Sequence, residues 1–128
     1  METSLESNLR TVEADPVQLQ QVLLNLVINA FDAMRDTPIP RRKVVIATQS
    51  NSDATVCASV RDYGAGISAE MQDRLFDPFF TTKNEGLGMG LAIARSILES
   101  HGGTIAVKNA DGGGARFEIV LPANGPFA

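Results

Sequence analysis

From residue 17 to 34 the apolar positions recur every three or four residues. Leu19, Leu23, Leu26, Val27, Ala30 and Met34 fall together on one side of a helical wheel. Asp15-Pro16 predicts the start of this helix, because aspartate caps free amide groups and proline at the first helical position gives up no hydrogen bond. Thr37-Pro38-Ile39-Pro40 predicts its end. The period then falls to two, and residues 41–50 and 54–62 read as strands joined by a hairpin at Asn51-Ser52-Asp53. In the second strand Val56, Ala58 and Val60 share one face while Thr55, Cys57 and Ser59 share a wetter one. Residues 69–75 suggest a short helix. Residues 89–100 suggest a longer one, with Leu91, Ala94, Ile97 and Leu98 to one side and a glycine exit at His101-Gly102-Gly103. Strands over 104–109 and 115–121 close the chain around Asp111-Gly112-Gly113-Gly114, with Phe117, Ile119 and Leu121 pointing inward. The polar start suggests edge strands at 5–9 and 11–13. Residues 76–88 keep no period and read as a mobile loop.

Bulk properties narrow the function classes. A chain of 128 residues makes one domain with a real core. The net charge of −4, without a basic tract, gives a nucleic-acid partner no electrostatic support. The longest apolar run, 22–28, is broken by Asn25 and is too short to span a bilayer, so no direct membrane contact is expected. Residues 1–15 carry Glu2, Glu6 and Glu13 and no apolar stretch of the signal-peptide kind, so a cytoplasmic location is expected. Cys57, a lone cysteine in a strand-like run, excludes an internal disulfide or a cysteine metal cluster and reads as an inert, half-buried thiol.

The first helix has a second, polar stripe. Gln18, Gln21, Asn25, Asn29, Asp32 and Asp36 fall within about 80° of arc. Solvation accounts for Gln18, Gln21 and Asp36. It accounts poorly for two asparagines one turn apart, since asparagine is a weak helix former. An amide oxygen is a hard neutral ligand suited to Mg²⁺. Further on, Asp62 ends a strand and enters Tyr63-Gly64-Ala65-Gly66-Ile67. Its carboxylate only accepts hydrogen bonds, and glycines let backbone approach a flat ring; by spacing alone, a turn aspartate is as good a reading as a ligand. Gly86, Gly88 and Gly90 lead into a helix whose free amides suit an anion, but no Gly-Lys-Ser/Thr ending follows, which argues against a P-loop. His101 sits at a helix exit, where an imidazole is favourable without any catalytic role.

In order, QVLLNLVINAFDAM, DYGAGI, LFDPFFTTK and GLGMGL resemble the N, G1, F and G2 boxes of the ATP-binding catalytic domain of sensor histidine kinases. These belong to the gyrase/Hsp90/histidine-kinase/MutL ATPase superfamily. The resemblance covers residues 12–122, and the short lid looks like the nitrogen- and oxygen-regulator branch. It implies an α/β two-layer sandwich with a mixed, mostly antiparallel sheet and three main helices on one face. It implies ATP and Mg²⁺ as ligands. Asn29 matches the magnesium-binding asparagine and Asp62 the residue that accepts from the adenine amino group, with Gly64, Gly66 and Ile67 beside the base. Phe80, Thr81, Thr82 and Lys83 then flank the nucleotide, and Gly86, Gly88, Met89, Gly90 and Leu91 line its phosphates. At least one of Phe76, Phe79 and Phe80 is expected to anchor the loop to the core.

Several positions depart from the pattern. Asn25 stands where the hydrolytic branches carry a glutamate; asparagine cannot act as a general base, so the site suits presenting phosphate to another nucleophile. Asp32 replaces a lysine found in some kinases, shifting charge neutralisation towards Lys83 and Mg²⁺. Leu87 replaces a frequent threonine, and Tyr63 a small polar residue, its side chain expected to face the lid or outward. The resemblance implies a catalytic domain that uses Asn25, Asn29 and Lys83 to phosphorylate a histidine on a separate dimerising hairpin, with a response regulator downstream. The phosphoacceptor histidine has no counterpart here, since His101 lies at a helix exit. Two alternatives remain open: an anti-sigma-type protein-serine kinase, which would want a glutamate at 25, and a nucleotide-binding module without catalysis.

Overall fold

The structure is a computed structural model, and it describes residues 1–5, 12–51, 54–77 and 90–123. Strand β1 (Glu2–Ser4) precedes helix α1 (Pro16–Ala33). Strands β2 (Val45–Ser50) and β3 (Thr55–Arg61) follow, then the single turn α2 (Ala69–Gln72), helix α3 (Gly90–Ser100), and strands β4 (Thr104–Asn109) and β5 (Ala115–Pro122). The sheet order is β1-β2-β3-β5-β4, with β1 parallel to β2 and every other pair antiparallel. This is the expected mixed α/β sandwich, although α2 is only one turn among the described residues.

The helix ends follow their sequence signals. Asp15 Oδ1 accepts from the amides of Val17 and Gln18, with Pro16 at the first helical position. At the end of α3, Gly103 N–H donates to Leu98 O and Gly102 N–H to Glu99 O, the paired bonds of a Schellman exit. His101 locks the two helices together. Its Nε2 accepts from Asp15 N–H at 3.1 Å while Nδ1 sits 2.7 Å from Ile97 O, which places the proton on Nδ1. The structural reading of His101 holds.

One face of the sheet is dry. Val22, Leu26 and Ala30 of α1 and Ala94 and Leu98 of α3 meet Val60, Phe117, Ile119 and Leu121, all buried. Burying each large apolar side chain contributes about 1.5–3 kcal/mol. Phe76 meets Phe117 edge-on at 6.3 Å between ring centres, so one of the three phenylalanines does anchor its segment to the core. The opposite face carries Ala47, Cys57 and Ser59 with a Lys108–Glu118 ion pair. Cys57 is half-buried and free, and burial is the main cause pushing its thiol pKa up, which disfavours the reactive thiolate.

Two expectations need correction. The strand anticipated over 41–50 begins only at Val45, because Ile39–Arg41 forms a 3₁₀ turn. Arg42 then reaches back to cap the carbonyls of Thr37 and Arg35. The edge strands anticipated at 5–9 and 11–13 fall mostly outside the described residues, and Val12 and Glu13 are in no strand; the first observed strand is Glu2–Ser4.

Candidate nucleotide site

Asp62 leaves the end of β3, a central strand, and is 1% exposed, the only buried charged residue among those described. Its position is fixed by sheet register. The amide of Asp62 donates to Ala115 O, and Ala115 N–H returns a bond to Asp62 Oδ1 at 3.3 Å. Gly64 N–H donates to the same Oδ1 at 2.8 Å. Burial raises the Asp62 pKa above the ordinary carboxylate value, opposed by these two amides and by the Arg61 charge. One oxygen is thus committed to the fold. Among the described residues nothing donates to Oδ2.

The loop after Asp62 presses against the end of α1. A Cβ at Gly64 would overlap the Ala33 carbonyl oxygen, so glycine is required there by close approach. Tyr63 is tied at its amide to Met34 Sδ, and its ring is covered by the Arg61 guanidinium at 4.2 Å and Lys43 Nζ at 5.6 Å. It turns towards this basic edge.

The polar stripe of α1 forms the second wall. Asn25 is half-buried, with Nδ2 donating to Gly90 O at 3.0 Å and Oδ1 accepting from Gln21 Nε2 at 2.8 Å. It therefore joins α1 to the first residue of α3. Asn29, one turn on, is half-buried, and no hydrogen bond engages its amide among the described residues. Asp32 lies 3.6 Å from Arg35 Nη2. Leu91 packs its side chain on the core, leaving Gly90 exposed at the helix start. The structure thus brings Asn25, Gly90 and Leu91 together at the α1–α3 junction, and Asp62, Gly64, Gly66 and Ile67 into one loop. Phe80, Thr81, Thr82, Lys83, Gly86, Gly88 and Met89, with all but the first two residues of the loop expected over 76–88, lie outside the described residues.

Sequence reasoning missed Asn109. Its Oδ1 accepts from Ile67 N–H at 2.7 Å and its Nδ2 donates to Ile67 O at 2.8 Å. The only signal was a polar residue at the end of an alternating strand, which is common at any turn.

The groups present fit a purine nucleotide with a divalent cation: a buried acceptor with glycine backbone beside it and an amide on the adjoining helix, one acceptor oxygen and that amide having no hydrogen-bond partner among the described residues. Comparison with known proteins agrees. The profile described as "Histidine kinase-, DNA gyrase B-, and HSP90-like ATPase" matches residues 14–125. Sensor histidine kinase ZraS of Escherichia coli O157:H7 is 49% identical over 113 residues, covering 88% of this chain and 24% of that kinase. The chain thus spans about a quarter of the length of this relative. The nucleotide-free catalytic domain of histidine kinase ThkA superposes with a TM-score of 0.82 at 37% identity, covering 95% of this chain and 77% of that one. ThkA in complex with the response regulator protein TrrA gives 0.78 at 34% identity, covering 96% and 34%. Full-length ShkA in complex with AMPPNP gives 0.82 at 29% identity, covering 99% and 26%. With four-fifths and more of its length matched, this chain belongs to the histidine kinase-, DNA gyrase B- and HSP90-like ATPase family and is homologous to the ATP-binding catalytic domains of sensor histidine kinases.

Proposed function

We propose that this domain binds Mg-ATP and transfers its γ-phosphoryl group to a histidine on a separate dimerisation hairpin, as one step of cytoplasmic two-component signalling. The observation that carries the reading is Asp62: buried, held through Oδ1 by two backbone amides, with nothing among the described residues donating to Oδ2. A buried carboxylate with an unspent acceptor suits an exocyclic amino group and opposes a carbonyl, favouring adenine over guanine. The likeness to ShkA, solved with AMPPNP, and to ThkA, solved with a response regulator, supports the nucleotide and the downstream partner.

The chain's own part is placement and charge management. Asp62 and the Gly64–Ile67 backbone hold the base. Asn29 offers the amide oxygen that would hold Mg²⁺, whose charge offsets that on the phosphates. Among the described residues no group of three acidic, histidine or cysteine side chains could hold a metal. The cation would therefore draw its other ligands from phosphate oxygens and water. Lys83, with Thr81 and Thr82, supplies positive charge and donors to the phosphates in this reading. The incoming histidine nitrogen forms a bond to the γ-phosphorus, the bond to the β,γ-bridging oxygen breaks, and ADP leaves with that electron pair. Asn25 holds the α1–α3 junction and offers no base to activate water.

The test supplies the parent's histidine-bearing hairpin in trans with γ-labelled ATP. Wild type should label the hairpin, with phosphate that is lost in acid, as a phosphorus–nitrogen bond requires. Asn29→Ala should reduce labelling to background while its unfolding temperature stays near wild type, because the amide points away from the core. Labelling that survives in the folded variant removes Asn29 from the site. Acid-stable label would point instead to a hydroxyl acceptor.

A further inference from the structure

Asn109, through its side chain, holds the backbone that follows Asp62. It is the last residue of β4, an edge strand, and stands opposite Ala115 in the register. Ala115 is the residue that fastens Asp62. From that position the Asn109 side chain reaches across 42 residues of sequence to Ile67 and takes both of its backbone groups. It accepts from the N–H at 2.7 Å and donates to the carbonyl at 2.8 Å. This is what a neighbouring strand would do, supplied by one amide side chain. The fit is tight: Gly66 has φ +82°, and a Cβ there would meet Asn109 Oδ1 at 2.8 Å. Ile67 in turn packs on the core, so the bracket sets how the loop is pinned between sheet and base.

We propose that Asn109 is the positioning residue of the adenine loop, fixing Ile67 and Gly66 at the height where their backbone meets the base. The proposal rests on the adenine-site reading of Asp62 and deepens it. One end of the β4–β5 hairpin then fastens both ends of the loop, Asp62 through the Ala115 amide and Ile67 through the Asn109 side chain. A side chain with a donor and an acceptor side by side is needed to engage both groups of Ile67. Aspartate keeps the acceptor for Ile67 N–H but sets a second oxygen against the Ile67 carbonyl, so it should act as a partial substitute.

The experiment uses the whole chain and compares wild type, N109A and N109D by three measurements. These are ADP titration by calorimetry, residue-resolved amide exchange in nucleotide-free protein, and thermal unfolding. N109A should bind ADP about 5- to 20-fold more weakly, as loss of two backbone-directed hydrogen bonds predicts. Exchange at Ile67 should quicken while Val60 and Leu98 stay protected, and N109D should fall between wild type and N109A. Should N109A fail to fold, N109D is read against wild type in the same way. Unchanged ADP affinity in a folded variant overturns the positioning role, as does an affinity loss with uniformly quickened exchange, which would mean a general structural defect. A wild type that binds no ADP overturns the adenine-site reading and this proposal with it, even if Ile67 exchange shows the bracket intact.

Discussion

The two walls of the site are built in opposite ways. At the end proposed for the base, Asp62 is 1% exposed, its Oδ1 takes two backbone amides, and Gly64 leaves no room between the loop and α1. At the end proposed for the phosphates, Asn25, Asn29 and Asp32 lie half-buried along one helix face and present side-chain amides and a carboxylate. A flat base is recognised by fixed backbone and a desolvated acceptor, so that end is folded before any ligand arrives. Phosphates and a cation need hard ligands that can exchange with water, so that end keeps its groups near solvent. Base recognition should therefore be coupled to the stability of the fold, and phosphate handling largely independent of it.

The largest effect expected from this contrast is at Asp62. Replacing it with alanine removes a charged acceptor and should weaken ADP binding by about 10- to 100-fold, or about 1.5–3 kcal/mol. Calorimetric titration of the folded variant is the check. An unchanged affinity would take Asp62 out of the base site and dissolve the distinction between the two walls. GTP should compete poorly against ATP in wild type, because its carbonyl would meet the same carboxylate.

A smaller effect measures the coupling to stability. Burial raises the folded-state pKa of Asp62, so its protonated form is favoured by folding. Stability from this residue is therefore fully present below the ordinary aspartate value of about 3.9 and is lost as pH rises through the raised folded value. The side-chain amide introduced by Asp62→Asn keeps an oxygen for the Gly64 and Ala115 amides while removing the charge. D62N should thus unfold about 2–5 °C above wild type at neutral pH, and the gap should close as pH falls towards about 4. Thermal unfolding of both proteins across that range decides it. A gap independent of pH would mean that the buried charge costs the fold nothing.

The same contrast explains what could be read from the sequence. Asp62 and its glycines announced themselves because close backbone approach leaves glycine as its trace, and the helices because packing leaves a period. Asp15 and the His101-Gly102-Gly103 exit were legible for the same local reasons. Asn109 was not, since its partner is backbone from a residue far away in sequence, and backbone partners leave no mark on residue type. Strand β1 was not, because three residues paired along one parallel edge are too few for alternation to show. The shortened β2 turned on Arg42 capping two carbonyls of the preceding turn, a contact that no spacing rule reports. Asn25 stood out in the sequence by what it replaces, but its bond to Gly90 left no mark there.

Asn25 is the residue where the two kinds of wall meet, and it gives the smallest and sharpest test. It lies on the polar face of α1, yet it donates to Gly90 O and accepts from Gln21. Removing these bonds in N25A should cost the fold about 1 kcal/mol, against the negligible cost expected at Asn29. N25E restores a carboxylate to this face but has nothing to donate to Gly90 O, so it should share the loss of stability while gaining a base. Phosphate release from ATP by wild type, N25A, N25E and D32N then separates structure from chemistry. Wild type, N25A and D32N should all stay near background, with N25E alone above it. If wild type releases phosphate briskly and D32N stops it, Asp32 is the base despite its contact with Arg35. The α1 face would then be a hydrolytic centre. If only N25E rises, asparagine at 25 serves the junction and withholds water activation at once, and ATP is kept for an incoming nucleophile.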